Sequence, residues 1–179
     1  CKDKIGADWE KFANFWRTTQ LEYTWLRSLM KRHKNFWDVT EDSLDKSMKV
    51  FNINKNMKND LLNLYKILSP YPEVSGVLKD LKKNNFKLAI LSNGTHDLLN
   101  ELVESNKLNN LFDDLFSIEE VKIYKPDPRV YELPVKKYKI KSGEITFLSA
   151  NTWDVSGAGN FGYNSIWVNR QNSVFDILD

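Results

Sequence analysis

Ile145-Thr-Phe-Leu-Ser-Ala-Asn-Thr-Trp-Asp154 is the stretch whose reading decides the fold. A short apolar run breaks abruptly into Ser149, Asn151 and Asp154, and Gly157-Ala158-Gly159 follows. That pattern suits a buried parallel strand feeding a helix. In sheets of that kind, polar groups just past the carboxyl ends of strands line the ligand crevice. A hydroxyl, an amide and a carboxylate within six residues therefore project toward a site. The alternative is that Ser149, Asn151 and Asp154 only cap the next helix, a common use of these residue types.

Working outward, Phe86-Lys-Leu-Ala-Ile-Leu91 reads as another strand, ending at Ser92-Asn93-Gly94, and Leu115-Phe116-Ser117 as a short one. Ser165 to Val168 is a strand ending at Asn169-Arg170. Helices are expected over Val74 to Asn84, His96 to Ser105 and Arg129 to Tyr138. Strands separated by helices mean a parallel α/β sheet with right-handed crossovers. Pro134 falls inside the last of those helices, where proline costs roughly 3 kcal/mol. A kink or a shorter helix is expected there.

Upstream the pattern is different. From Ala7 to Lys66 the signal is helical, with no Gly or Pro after Gly6. Phe12, Phe15, Trp16, Thr19, Tyr23 and Leu26 recur at spacings of three and four, marking one apolar face. Thr40-Glu-Asp-Ser43 reads as a helix start, with a hydroxyl cap and acids in the first turn, and a further helix covers Lys58 to Leu68. Ser69-Pro70-Tyr71-Pro72 is the strongest break, because each proline biases the residue before it away from helix. The domain boundary is placed there, giving an all-helical region over 1–68 and an α/β region over 69–179.

Bulk composition excludes more than it identifies. The 179 residues are 41% hydrophobic and 28% charged, and 26 basic against 24 acidic residues leave a net charge of +2, no case for nucleic acid. No apolar run approaches the roughly 20 residues of a membrane span. The single Cys1 cannot form an internal disulfide, which fits a reducing, cytoplasmic setting. The chain opens on Cys1 and closes on Phe175-Asp176-Ile177-Leu178-Asp179, which reads as the interior of a helix. A fragment cut at both ends is expected.

Taken together, Ser92-Asn93, then Lys125 before Pro126-Asp127-Pro128, then Ser149 to Asp154, follow an order that resembles the haloacid dehalogenase superfamily. The likeness is narrower still, to the L-2-haloacid dehalogenases. It rests on Arg17 followed by Gln20-Leu-Glu-Tyr-Thr-Trp-Leu-Arg-Ser-Leu-Met30, on Leu88-Ala-Ile-Leu-Ser-Asn-Gly94, on Tyr124-Lys-Pro-Asp-Pro-Arg-Val-Tyr-Glu-Leu133, and on Phe147-Leu-Ser-Ala-Asn-Thr-Trp-Asp154. The resemblance implies a Rossmann-like parallel sheet with helices on both faces and an all-helical cap. It implies an aspartate nucleophile that displaces halide from a short 2-haloacid through an ester, without cofactor or metal. Lys125 would hold that nucleophile ionised, since a nearby cation favours the carboxylate. Ser92 and Asn93 would bind the substrate carboxylate and help receive the halide, and Arg17 would meet the same negative charges. Asp154, Ser149 and Asn151 would position the nucleophile and the hydrolytic water. Leu21, Phe36 and Trp153 would wall the pocket, with Tyr131 in support.

Two positions and one missing motif depart from the family pattern. Thr18 stands where Gln is usual and Ala150 where Ser is usual. The first motif, Asp-x-Tyr-Gly-Thr, is absent from the 179 residues. Asp3 and Asp8 lack the Gly-Thr and any preceding strand, and neither is assigned as nucleophile. The missing stretch would also supply the central strand of the sheet, so its two neighbours are expected to face a gap. As it stands the chain is expected to be inactive and poorly stable.

Two other readings stay open at this level. A phosphatase of the same superfamily would hold Mg²⁺ with carboxylates of the acidic loop, where this chain offers Asp154 alone. A non-enzymatic module would bind a partner through Trp16, Tyr23 and Trp25, and the same aromatic face could instead make a homodimer.

Overall fold

The computed structural model describes residues 5–178, so Asp3, like Cys1, lies outside the described residues. The chain is α/β. It divides between Lys122 and Ile123 into two compact units.

The first unit opens with α1 (Trp9–Leu29), packed against α2 (Phe36–Val50), and then α3 (Lys58–Asn63). Phe12, Trp16, Leu44, Met48, Leu61 and Leu62 form the core of this helical region. The apolar stripe on α1 is therefore real at its start, but Leu26 is 43% exposed. Trp16 is 5% exposed and donates from Nε1 to Thr40 O and Ser43 Oγ, so it cannot anchor a partner, contrary to one sequence reading.

The start of α2 is also corrected. Asn35 caps it, accepting from Asp38 N at 2.8 Å. Thr40 sits one turn inside, its hydroxyl donating to Phe36 O at 2.7 Å. Thr40 and Asn35 are both good cap residues by type; the loop before Phe36 decides which is used. The expected helix to Leu68 stops as an α-helix at Asn63 and tightens into a 3-10 turn over Leu64–Lys66. Residues 67–71 hold neither helix nor strand.

Beyond that break come α4 (Val74–Lys83), β1 (Ala89–Ser92), α5 (His96–Ser105) and β2 (Asp114–Ser117). β1 and β2 run parallel, with Ser92 paired to Ser117. A 3-10 turn, Ile118–Glu120, closes this unit. It meets both histidines of the chain: His33 Nε2 lies 3.0 Å from Glu119 Oε2, and His96 Nε2 lies 3.7 Å from Glu120 Oε1.

The second unit contains α6 (Pro128–Tyr138), β3 (Thr146–Ser149), α7 (Thr152–Phe161) and β4 (Asn164–Trp167). Pro128 opens α6, where its missing N–H costs nothing. The helix is not shortened at Pro134 but continues to Tyr138. β3 and β4 are parallel, with Leu148 opposite Ile166. Those two side chains are 60% and 48% exposed, while Phe147, Ser149, Ser165 and Trp167 on the other face are half-buried and packed with α7. Among the described residues β1 pairs only with β2 and β3 only with β4, in agreement with a sheet whose central strand is not among them. The terminal stretch beyond β4, read as helical from Phe175 onward, holds no helix up to Leu178. Among the described residues no helix is long and apolar enough to cross a membrane.

Candidate active site

The second unit assembles a buried ion pair from four elements. Lys125, in the loop before α6, is 4% exposed, and so is Asp154, one turn into α7. Lys125 Nζ donates to Asp154 Oδ2 at 3.1 Å. Ser149, at the end of β3, donates from Oγ to the same oxygen at 2.9 Å, and its oxygen accepts from Asn151 N at 3.2 Å. Tyr131, fully buried on α6, donates from its hydroxyl to Asp154 Oδ1 at 2.8 Å. Both carboxylate oxygens are therefore engaged.

This arrangement replaces the capping alternative. Asn151 is the N-cap residue of α7 by position, yet its side chain makes no cap hydrogen bond. Ser149 and Asp154 bond each other across five residues instead of closing the first turn.

Aromatic rings surround the pair. Lys125 Nζ lies 4.7 Å from the Phe147 ring centre and 5.8 Å from that of Tyr131. Rings attract a cation at such distances through their negative faces, more strongly when water is excluded. Phe161 packs tilted and Tyr163 edge-on against Tyr131, and the Tyr163 hydroxyl donates to the Tyr131 carbonyl. Burial pulls the Lys125 ammonium below the usual lysine range, while Asp154 opposes that shift by charge and hydrogen bond. Tyr131 is pushed far above the usual phenol range, first by burial and then by the neighbouring Asp154 charge. Its hydroxyl therefore keeps its proton and donates it in the hydrogen bond to Asp154. Gly157 permits the whole assembly. A Cβ at that position would sit 2.6 Å from Pro126 Cβ and 2.8 Å from the Tyr131 hydroxyl.

The first unit places the remaining expected residues. Arg17 lies on α1, exposed as a residue but with its guanidinium partly enclosed, and donates from one guanidinium nitrogen to Gln20 Oε1 at 2.8 Å. The atoms packed about the guanidinium hold its pKa below the usual arginine value, and Tyr65 opposes this; arginine stays charged regardless. Leu21 is half-buried one residue past Gln20, and Phe36 is buried at the start of α2. Ser92 ends β1 and its hydroxyl accepts from Gly94 N at 3.0 Å, in a turn that also holds Asn93. Ser117 ties this turn down by donating to Gly94 O at 2.6 Å. Within this unit a cavity of about 300 Å³ is lined by Asn35 and Trp37, either side of Phe36, together with Lys66 and Thr95. A larger hollow of about 600 Å³ beside Asp45 and Lys58 contains none of the expected site residues.

Lys125, Asp154, Ser149, Asn151 and Tyr131 are thus brought together in one unit, while Arg17 and Phe36 are joined in the other through Gln20 and Thr40. Trp153 stands half-buried beside Asp154 on α7. Sequence reasoning missed Phe147, Gly157 and Gln20. Phe147 carries only the signal of a strand residue, and Gly157 only that of a helix glycine without an evident reason. A glutamine at a position facing the partner helix was the available clue for Gln20. Asp8, not assigned from the sequence, is exposed and pairs with Lys11 at 3.1 Å. Among the described residues no three His, Cys, Asp or Glu side chains gather as a metal-binding group.

Comparison with known proteins identifies the family. A family model described as haloacid dehalogenase-like hydrolase matches residues 17–168. (S)-2-haloacid dehalogenase 4A of Burkholderia cepacia is 38% identical over 173 residues, 96% of this chain and 75% of that protein. (S)-2-haloacid dehalogenase 1 of Pseudomonas sp. (strain CBS-3) is 41% identical over 170 residues, 94% of this chain and 75% of its own length. A solved L-2-haloacid dehalogenase superposes with a TM-score of 0.96 at 33% identity, covering 99% of this chain and 81% of that one.

Proposed function

The chain belongs to the haloacid dehalogenase-like hydrolases, and from that premise we propose that it serves as an (S)-2-haloacid dehalogenase. The observation that carries this reading is the buried Lys125–Asp154 pair, with both oxygens of Asp154 already taken by Lys125, Ser149 and Tyr131. A carboxylate so engaged is poorly disposed to hold a hard cation, which wants free oxygen ligands. It is well disposed to orient an ammonium. The proposed chemistry is accordingly metal-independent.

An aspartate in sequence preceding Cys1 supplies the nucleophile in this proposal, because the 179 residues contain no Asp-x-Tyr-Gly-Thr. Its oxygen attacks C2 of the substrate opposite the halogen. The carbon–halogen bond breaks with its electron pair leaving as halide, and an aspartyl ester remains. Water then attacks the ester carbonyl, releasing the 2-hydroxy acid with inverted configuration and restoring the carboxylate. Splitting the displacement in two avoids the direct attack of water on carbon.

Each residue contributes one piece. Lys125 keeps the nucleophile ionised, and Asp154, held by Ser149 and Tyr131, keeps Lys125 in place. Asn151 fixes the turn that presents Ser149. Ser92 and Asn93 receive the substrate carboxylate, Arg17 the carboxylate and departing halide, and Leu21, Phe36 and Trp153 the carbon chain. The region before Ser69–Pro72 acts as the cap over a Rossmann-like core. Leu26, Leu29 and Met30, exposed at the end of α1, support a homodimer through that face together with Tyr23 and Trp25; a cytoplasmic setting completes the proposal.

The test is chloride release from L-2-chloropropionate in the presence of chelator, by the chain expressed together with its upstream coding sequence. Chloride from the L enantiomer, lost in Lys125→Ala, supports the reading. Phosphate-ester hydrolysis that requires Mg²⁺, without halide release, would replace it with a phosphatase. The 179 residues alone are expected to release none.

A further inference from the structure

We infer that Gln20 is a positioning residue for Arg17, an inference that rests on the dehalogenase reading above. Gln20 has no exposed surface, midway along α1 where that helix meets α2. A neutral amide there is costly unless both its ends are bonded. Both are. Oε1 accepts from Arg17 at 2.8 Å and from the Tyr65 hydroxyl at 3.4 Å, and Nε2 donates to Thr40 Oγ1 at 2.6 Å.

Proton bookkeeping leaves the amide a single orientation. The Thr40 hydroxyl has one proton and gives it to Phe36 O at 2.7 Å. Toward Gln20 it can therefore only accept, so the amide nitrogen must face Thr40 and the amide oxygen must face Arg17. Arg17 has five N–H donors and no acceptor, so an oxygen is the only amide atom that can hold it. The result is a one-way chain from Arg17 through Gln20 and Thr40 to the Phe36 carbonyl. It ties the cation proposed to meet the halide to the ring proposed to wall the pocket. Among the described residues Gln20 is the hydrogen-bond partner that fixes the Arg17 guanidinium. Leu or Met would fill the space equally well, so packing alone does not call for an amide.

The experiment is a double-mutant cycle in the protein carrying its upstream sequence, reading kcat and KM for L-2-chloropropionate. Gln20→Leu is expected to lower kcat between roughly ten- and a hundredfold, the scale of a misplaced group. In an Arg17→Lys background the same change is expected to cost less than about twofold, because residues that act as one unit are not additive. Gln20→Glu keeps an oxygen toward Arg17 but turns a second acceptor to Thr40 Oγ1, so it is expected to recover part of the kcat that Gln20→Leu loses. Should Gln20→Leu fail to fold, Gln20→Met carries the same cycle. An active wild type with additive effects, or no rescue by Glu, overturns the positioning role and leaves the dehalogenase reading standing. A wild type that releases no halide overturns both.

Discussion

Two buried polar arrangements in this molecule are built on opposite principles. Between α1 and α2 the polar groups are neutral and mostly serve their own helix: Thr40 donates to Phe36 O, Ser47 to Ser43 O, Ser43 to Thr40 O and Thr24 to Leu21 O. Around Lys125 they are charged and distant in sequence, 29 residues from Lys125 to Asp154 and 23 from Tyr131 to Asp154. A hydroxyl bonded one turn back survives the loss of a neighbour, since its partner travels with it. An ion pair in an aromatic surround does not, because removing one member leaves a charge that water cannot reach. The helical pair should therefore fail gradually and the ion pair abruptly.

The sharpest way to break that contrast is Asp154→Ala. It leaves the Lys125 ammonium buried without its carboxylate, and unfolding titrations of the 179-residue chain should show about 3–5 kcal/mol lost. Adding Lys125→Met should recover part of that stability and none of the halide release by the protein with its upstream sequence. If Asp154→Ala costs less than Thr40→Val, the comparison is wrong.

Gly157→Ala comes next. Its new methyl would meet the Pro126 ring at 2.6 Å and the Tyr131 hydroxyl at 2.8 Å, neither the flexible end of a long side chain. Overpacking of this kind costs about 1–3 kcal/mol. The second signature, which a purely local clash would not produce, is halide release falling as Tyr131 is pushed from Asp154.

Thr40→Val tests the other side of the contrast. It removes the bond to Phe36 O and leaves Gln20 Nε2 short of an acceptor, with an expected loss of about 1–2 kcal/mol in the same titration. Ser47→Ala, whose hydroxyl bonds only its own helix in the same fashion, should cost less.

The smallest effect is on alkaline stability. Burial raises Tyr131 and Tyr163 above the ordinary phenol pKa, so the unfolded chain ionises first. Their contribution is complete below about pH 10 and is lost as pH rises beyond it. Lys125 acts in the other sense: with its pKa depressed, the unfolded chain binds the extra proton, and stability rises with pH until the ordinary lysine value near 10.5 is passed. Tyr163→Phe should flatten the loss above about pH 10, and Lys125→Met the rise below it. An unchanged alkaline limb in Tyr163→Phe would show that this phenol is not protected by the fold.

Much of the arrangement can be read from the chain directly. Alternating apolar runs and amphipathic stretches located β1 to β4 within a few residues, and Pro128 announced the start of α6. Lys125 and Asp154 are weak signals singly, and stood out through the order and spacing of the polar clusters, which resemble those of the haloacid dehalogenase superfamily. The helix start at Thr40 was misread because two acceptable caps lie close together. Local chemistry does not choose between them; the path of the loop from α1 does.

Local periodicity, turn chemistry and residue type, acting over a few residues, determined the elements of this protein and the order of its polar clusters. Tertiary structure alone decided that Phe147 would lie against the Lys125 ammonium, that Gly157 would admit Tyr131, and that the Gln20 amide would turn its oxygen to Arg17. Those outcomes depend on which atoms meet across tens of residues, and on burial that makes an unpaired polar group expensive. Neither quantity is carried by a residue's neighbours in the chain.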